Sequence, residues 1–207
     1  DLSVTGWPDT IWLTKQERQD KDSAVFGEIA YDFTDKLTGT LGARYFRVDN
    51  TLKGFFGFAD WGWVSGYGEN ACEDGAPTFN GAPCSFFDKR VEESGTIGKA
   101  NLTYQVNDNA MIYGTWSEGF RPGGLNRRGI LPPYLSDWLN SYELGWKTAW
   151  GGNRLLFNGA VFYQEWEDFQ FPILGANGLT EIFDQPAPRA GRVMPAIALT
   201  TLLLPAP

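Results

Sequence analysis

Hydrophobic and polar residues alternate with a period of two along much of this chain, as in strands with one apolar face. In Thr96 to Val106 one parity carries Gly98, Ala100, Leu102, Tyr104 and Val106, and the other, after Ile97, carries Lys99, Asn101, Thr103 and Gln105. Tyr142, Leu144, Trp146, Thr148 and Trp150 likewise share a parity, opposite Glu143, Gly145 and Lys147. The runs come in pairs. Ser23–Thr34 turns at Asp35-Lys36 into Leu37–Phe58, Lys89–Val106 turns at Asn107-Asp108-Asn109 into Ala110–Arg121, and Asp137–Trp150 turns at Gly151-Gly152-Asn153 into Arg154–Phe171. With the strand-like Thr10–Gln19 ahead of them, the pattern predicts about seven strands.

Short Asp/Asn/Gly turns therefore lie on one edge and long connections, such as 59–87 and 122–136, on the other. That alternation describes an antiparallel up-and-down meander, the plan of outer-membrane β-barrels. A soluble antiparallel sheet predicts the same period of two. Strand length separates the readings. Leu37–Phe58 would reach roughly 70 Å when extended at about 3.3 Å per residue, whereas a globular strand averages about 5–6 residues and a membrane crossing takes about 9–11. The expected fold is all-β, an antiparallel up-and-down transmembrane β-barrel present only as a fragment of about seven long strands. Tyr31, Phe33, Tyr104 and Trp150, nearest the short turns, suit an interfacial aromatic girdle. The run AMIYGTWSEGFRPGGLNRRG (110–129) then reads as one strand that crosses the membrane at Met111–Trp116 and emerges over Gly119–Arg128. Both parities carry an aromatic there, so the faces of Tyr113 and Thr115 stay open.

Composition narrows the function. The 207 residues are 43% hydrophobic and 15% aromatic, enough for an ordered fold. The longest apolar run, Ile197–Pro205, is too short for the roughly 20 residues of a helical span. A net charge of -8 argues against a nucleic-acid partner, which would need a basic face. The absence of histidine removes Ser-His-Asp and Cys-His nucleophile systems and the HExxH zinc site. Other apparent signals are weak. Thr115-Trp-Ser-Glu-Gly119 lacks the first glycine of a nucleophile elbow, and Gly66-Tyr-Gly68 lacks a strand-to-helix context. Glu165, Glu167 and Asp168 read as a solvated rim, and Asn101-Leu-Thr103 lies within a strand. The chain is expected to be no enzyme, with no cofactor and no metal site.

The runs YGTWSEGFRPGGLNRR, NSYELGWKT and NRLLFNGAVFYQEWEDFQ, preceded by AVFGEIAYDFTDKLTGTLGARY, resemble consecutive barrel strands of the TonB-dependent outer-membrane receptors, over about Thr14 to Glu181. The resemblance implies a 22-stranded barrel closed around an N-terminal plug, in the outer membrane of a Gram-negative bacterium. It implies import of a scarce solute such as an iron chelate, vitamin or oligosaccharide, with outer-membrane lipid, the small solute and, through the plug, the TonB complex as partners. No plug, TonB box or signal peptide is read here, and the chain ends on Pro207 where family members end on an aromatic residue. Residues 1–181 are thus expected to be a partial barrel domain, and 182–207 an atypical tail, disordered or artefactual. A passive porin and a secreted carbohydrate-binding β-sheet protein are the alternatives.

Site candidates follow from the face assignment. Arg44, Lys99, Arg121, Glu143 and Lys147 would line the lumen or its mouth, where they could steer a solute or pair with one another. Arg127 and Arg128 would sit in an outer loop, facing an anionic chelate or surface lipopolysaccharide. Cys72 and Cys84, in the longest loop, suggest a disulfide in an oxidising compartment, against two free thiols or an incomplete metal pair.

Overall fold

In the computed structural model of the chain the described residues are 3–60, 68–127, 131–174, 180–184 and 196–203. They are almost entirely strand. The elements are β1 (Trp12–Thr34), β2 (Leu37–Phe58), β3 (Phe87–Asn107), β4 (Ala110–Arg121), β5 (Asp137–Trp150), β6 (Leu155–Glu167), β7 (Gln170–Leu174), β8 (Thr180–Asp184) and β9 (Ala196–Leu203), with a single 3-10 turn at Glu69–Ala71. One antiparallel sheet runs in the order β1-β2-β3-β4-β5-β6-β9, and β7-β8 is a separate hairpin. The seven-stranded sheet is an open wall rather than a closed barrel.

Its seven strands are composed differently from the expected seven. Thr10–Gln19 and Ser23–Thr34 are not two elements, because Asp20, Lys21 and Asp22 between them pair residue for residue with Asn50, Asp49 and Val48, making β1 continuous over 23 residues. Arg18 to Asp20 (2.7 Å) and Arg44 to Asp22 (3.4 Å) help hold that polar stretch extended. Arg154–Phe171 is not one strand either. Asp168 adopts φ +52° between β6 and β7, a left-handed conformation that ends the ladder and turns β7 into its own hairpin. The seventh strand is β9, antiparallel to β6 from Phe162↔Ala196 to Leu155↔Leu203.

Register sorts the side chains into two faces. Tyr31, Gly39, Leu102, Gly114, Leu144 and Val161 share a row on one face, and Lys99, Gly42, Glu28 and Ser117 share one on the other. Within β1–β6 every exposed large hydrophobic residue except Phe26 lies on the first, apolar face. Tyr31, Phe33, Tyr104 and Trp150 are exposed on that face beside the short turns. Its apolar band stops at a similar height above the short turns in each hairpin. Above Val25, Tyr45, Trp116, Tyr142 and Tyr163 the same face continues with Ser23, Arg47, Glu118, Asn140 and Glu165. From the short turns to that level is about nine residues in most strands, the height of one bilayer crossing.

Above the band the long connections fold back onto the sheet. Residues 68–86 cover the apolar-parity side of the β1–β2 tip, where Val4, Leu13, Phe55, Ala59, Ala82 and Cys84 form a buried cluster with Trp7 and Cys72 against it. Gly54 is required at this tip. Its φ is +143°, and a Cβ there would stand 2.2 Å from the Lys15 carbonyl oxygen. The 122–136 connection covers the opposite side, over Asn50 and Glu93.

Candidate functional site

The polar face carries the candidate site, and its charges are arranged in cross-strand pairs. Glu28, Gly42 and Lys99 are successive register partners on β1, β2 and β3, and the Lys99 ammonium reaches across Gly42 to the Glu28 carboxylate at 3.2 Å. Any large side chain at Gly42 would stand between them. One row higher, Arg44 holds Asp22. Towards the short turns, Asn101 donates to Thr115 Oγ1 (2.7 Å) and Thr103 donates to Asn101 Oδ1 (2.9 Å). Tyr113 donates to Glu143 at 2.6 Å, and the Lys147 ammonium lies 5.9 Å from the Tyr113 ring centre. Tyr113 and Thr115 therefore belong to the polar face, while Ile112 and Trp116 belong to the apolar one. Tyr113 can lie flat on the wall because its partner is Gly145, where a Cβ would come within 2.4 Å of the ring.

All five lumen candidates, Arg44, Lys99, Arg121, Glu143 and Lys147, share this face by register, and each has a partner on it. Arg121 sits at the upper end of this face, in a built node at the tip of β4. Its guanidinium pairs with Asp137, donates from Nη2 to the Gln170 carbonyl (2.9 Å), and lies over the Trp166 and Phe169 rings. Asp137 is only 1% exposed, and its Oδ2 also accepts from the Gln170 backbone N–H (3.3 Å). The Gln170 side chain in turn donates to the carbonyls of Pro122 and Leu135. Asp137 and Gln170 were invisible as site residues because their partners come from the end of β4, the 122–136 connection and the start of β7, far apart in sequence.

The 122–136 connection is pinched shut at its base. Gly124 and Tyr134 exchange two backbone hydrogen bonds of 3.0 Å, and Gly123 donates to Ser136 Oγ at 2.9 Å. Ser136 Oγ donates onward to Glu93. Lys89 donates to the carbonyls of Asn126 (3.1 Å) and Leu131 (2.7 Å), and its burial there pushes its ammonium below the usual lysine range. Arg127 is exposed with its guanidinium 5.5 Å from the Phe56 ring centre. Arg128 lies outside the described residues.

On the apolar-parity side above the band, charge replaces hydrocarbon. Arg90 grips both oxygens of Asp49 (2.8 and 2.9 Å) and also Glu92, Arg47 pairs with Glu92 (3.5 Å), and Lys53 with Asp88 (3.1 Å). The Arg90 guanidinium holds the Asp49 carboxyl below the usual carboxylate range. Cys72 and Cys84 are joined by a disulfide with Cα atoms 5.8 Å apart, and Glu69 beside it ties the loop to the Thr5 N–H (2.6 Å) and the Asp60 N–H (2.8 Å). No cluster of metal-ligating side chains occurs among the described residues.

A long-stranded wall with an apolar band on one face and a paired polar lattice on the other now meets the comparisons. The sequence model of the TonB-dependent receptor-like β-barrel matches residues 4–193, and the chain belongs to this family. The family is one of transporters rather than enzymes. Among solved structures, the chain is similar to the ferric-catecholate import receptor Fiu of E. coli K12, with a TM-score of 0.65 at 18% identity, covering 93% of this chain and 26% of that one. It is also similar to the alcaligin outer-membrane receptor FauA of Bordetella pertussis (TM-score 0.54, 19% identity, 93% and 28% covered). The ferric yersiniabactin uptake receptor FyuA of Yersinia pestis follows with a TM-score of 0.56 at 15% identity, 75% and 22% covered. At these identities the likeness is one of fold, and the chain spans about a quarter of each receptor's length.

Proposed function

We propose that this chain is part of the outer-membrane wall of an energy-coupled importer, with its apolar band in lipid and its paired polar face lining the path of the solute. The observation that carries the reading is the band itself. Its height of about nine residues fits one bilayer crossing, and a soluble sheet has no reason to end an exposed apolar face at a similar height above the turns on five strands. The family match supports import driven through TonB, and the three receptors named above support an iron chelate as the solute class. In this reading Arg44, Lys99, Glu143 and Lys147 line the lumen, Arg121 braces its mouth, and Arg127 and Arg128 face the exterior. Residues 1–181 carry the barrel wall apart from its last strand, and 182–207 are a segment of different character that adds β9 at the edge.

Full-length protein expressed in a Gram-negative host tests this. Recovery in detergent-extracted outer membrane, with uptake of a radiolabelled iron chelate that stops when TonB is deleted, is the expected result. Recovery in a soluble fraction would overturn the membrane assignment. Uptake indifferent to TonB would instead favour a passive porin.

A further inference from the structure

One cleft on the polar face holds hydrogen-bond acceptors that the wall does not use. Where the 122–136 connection leans over the upper part of β1 and β2, it leaves a cavity of about 250 Å³ whose lining includes Arg18, Asp20, Asp22, Asn50, Gly123 and Tyr134. Asp20 and Asp22 stand two apart on the same face of β1, and Asn50 is the register partner of Asp20. Asn50 is 6% exposed and donates from Nδ2 to the Gly123 carbonyl at 3.2 Å, yet its Oδ1 is buried without a donor. A buried amide oxygen left unpaired is costly, and such a group at a cleft marks where a ligand can supply the missing hydrogen.

The charge pattern decides what kind of ligand. Arg18 is taken by Asp20 and Arg44 by Asp22, and the other cation of the lining, Lys21, is the register partner of Asp49 and belongs to the opposite face, so the charges facing the cleft are balanced while both carboxylates retain free acceptor positions. Among the cleft's own lining residues the surplus is of acceptors, not charge; Arg44 Nε, also buried without a partner, lines the neighbouring cleft beside Glu28 and Ser117. An anionic group would face two carboxylates, and a cationic one would unbalance two ion pairs. Val48 and Pro122 add an apolar surface to the same lining. We infer that this cleft is a subsite for an uncharged, polyhydroxylated portion of the solute, a saccharide-like ring whose hydroxyls donate to Asp20, Asp22 and Asn50 while its apolar face rests on Pro122 and Val48. The volume lies below the roughly 300–1,000 Å³ typical of sites for a whole drug-sized ligand, so the cleft holds one ring-sized portion. The inference rests on the reading that the polar face lines the import path.

The test uses the intact receptor purified from outer membrane in detergent, probed by saturation-transfer NMR with methyl glucoside and, as an anionic ring of similar size, 2,3-dihydroxybenzoate. Methyl glucoside should receive saturation, and its Kd should rise about tenfold in the Asp20→Ala/Asp22→Ala variant and again in Asn50→Ala. The Asp20 and Asp22 side chains are half-exposed, so that variant folds even where Asn50→Ala does not. Absence of saturation on the glucoside, affinity unchanged in the aspartate variant, or preferential binding of the benzoate through the same residues would overturn the subsite. A receptor that fails this test while residing in the outer membrane and importing chelate through TonB overturns the subsite alone.

Discussion

Along strand β2 the relation between burial and polarity reverses partway up. Below Tyr45 the strand presents Leu41 at 62% exposed, with Leu144 at 63% on the same face of β5, while the polar side chains opposite are hydrogen-bonded or ion-paired to one another. Above Tyr45 the apolar residues Phe46, Val48, Leu52 and Phe55 are buried, and ion pairs such as Arg90 with Asp49 stand exposed. One strand thus obeys two sets of rules. The lower half is built for contact with hydrocarbon and needs only ladders and small side-chain pairs. The upper half is built for water, and must make its own core from folded-back connections, a disulfide and buried hydrogen-bond nodes.

The sharpest way to break this contrast is to place the same charge in both halves. Leu144→Arg, in the middle of the apolar band, should cost about 2–4 kcal/mol in the membrane-embedded protein and sharply reduce the heat-modifiable, outer-membrane-assembled fraction on gels. Thr51→Arg, on the same parity but above the band, should leave assembly unchanged. Equal effects at both positions would show that the two halves share one environment.

The next effect belongs to the upper half alone. Loss of the Cys72–Cys84 disulfide, by reduction or by Cys72→Ser/Cys84→Ser, should remove about 3 kcal/mol from the ordering of its loop on the chain-entropy estimate. Limited proteolysis should then cut within residues 68–86 while the strands of the lower half stay protected. Peptide mass spectrometry without reduction should show the two cysteines linked. Two alkylatable thiols would remove this element of the comparison.

A smaller loss is expected at the β4–β5 tip. Asp137→Ala leaves the Arg121 guanidinium and the Gln170 N–H without their shared acceptor. Because Arg121 is about half exposed and water screens it, the cost is about 2 kcal/mol rather than that of a fully buried pair. Thermal unfolding in detergent should register it, and Asp137→Asn should recover part of the loss.

The smallest effect is the pH response of Asp49. Its carboxyl sits below the usual carboxylate range because Arg90 binds the charged form, so its contribution is complete above the ordinary carboxylate pKa and lost as pH falls through the lowered value. Exposure keeps that contribution slight. Thermal unfolding of Asp49→Asn should fall marginally below the parent at pH 7 and converge with it in strong acid.

Much of the lower half was legible in sequence because its physics is local. A period of two and a short polar turn suffice to place Leu102 on one face and Lys99 on the other. The parity of Tyr113 was undecided because Trp116 and Ile112 compete with it as aromatic or bulky neighbours, and only the small Gly145 opposite resolves which face can accept the ring. The upper half was less legible. Asp20-Lys21-Asp22 looks like a break until its partners on β2 are known, and Asn50 looks like a surface residue until the 122–136 connection covers it. The β9 pairing with β6 was also missed, since IALTTLLL carries no alternation to declare its faces.

The Gly124–Tyr134 pinch has a consequence for how such a wall changes over generations. By fastening the connection to itself before it spreads, with both glycines packed too closely against Tyr134 to admit a Cβ, it insulates β4 and β5 from whatever chain lies between. Length and composition can vary beyond that clasp without disturbing strand register, so sequence can drift there at little risk to assembly.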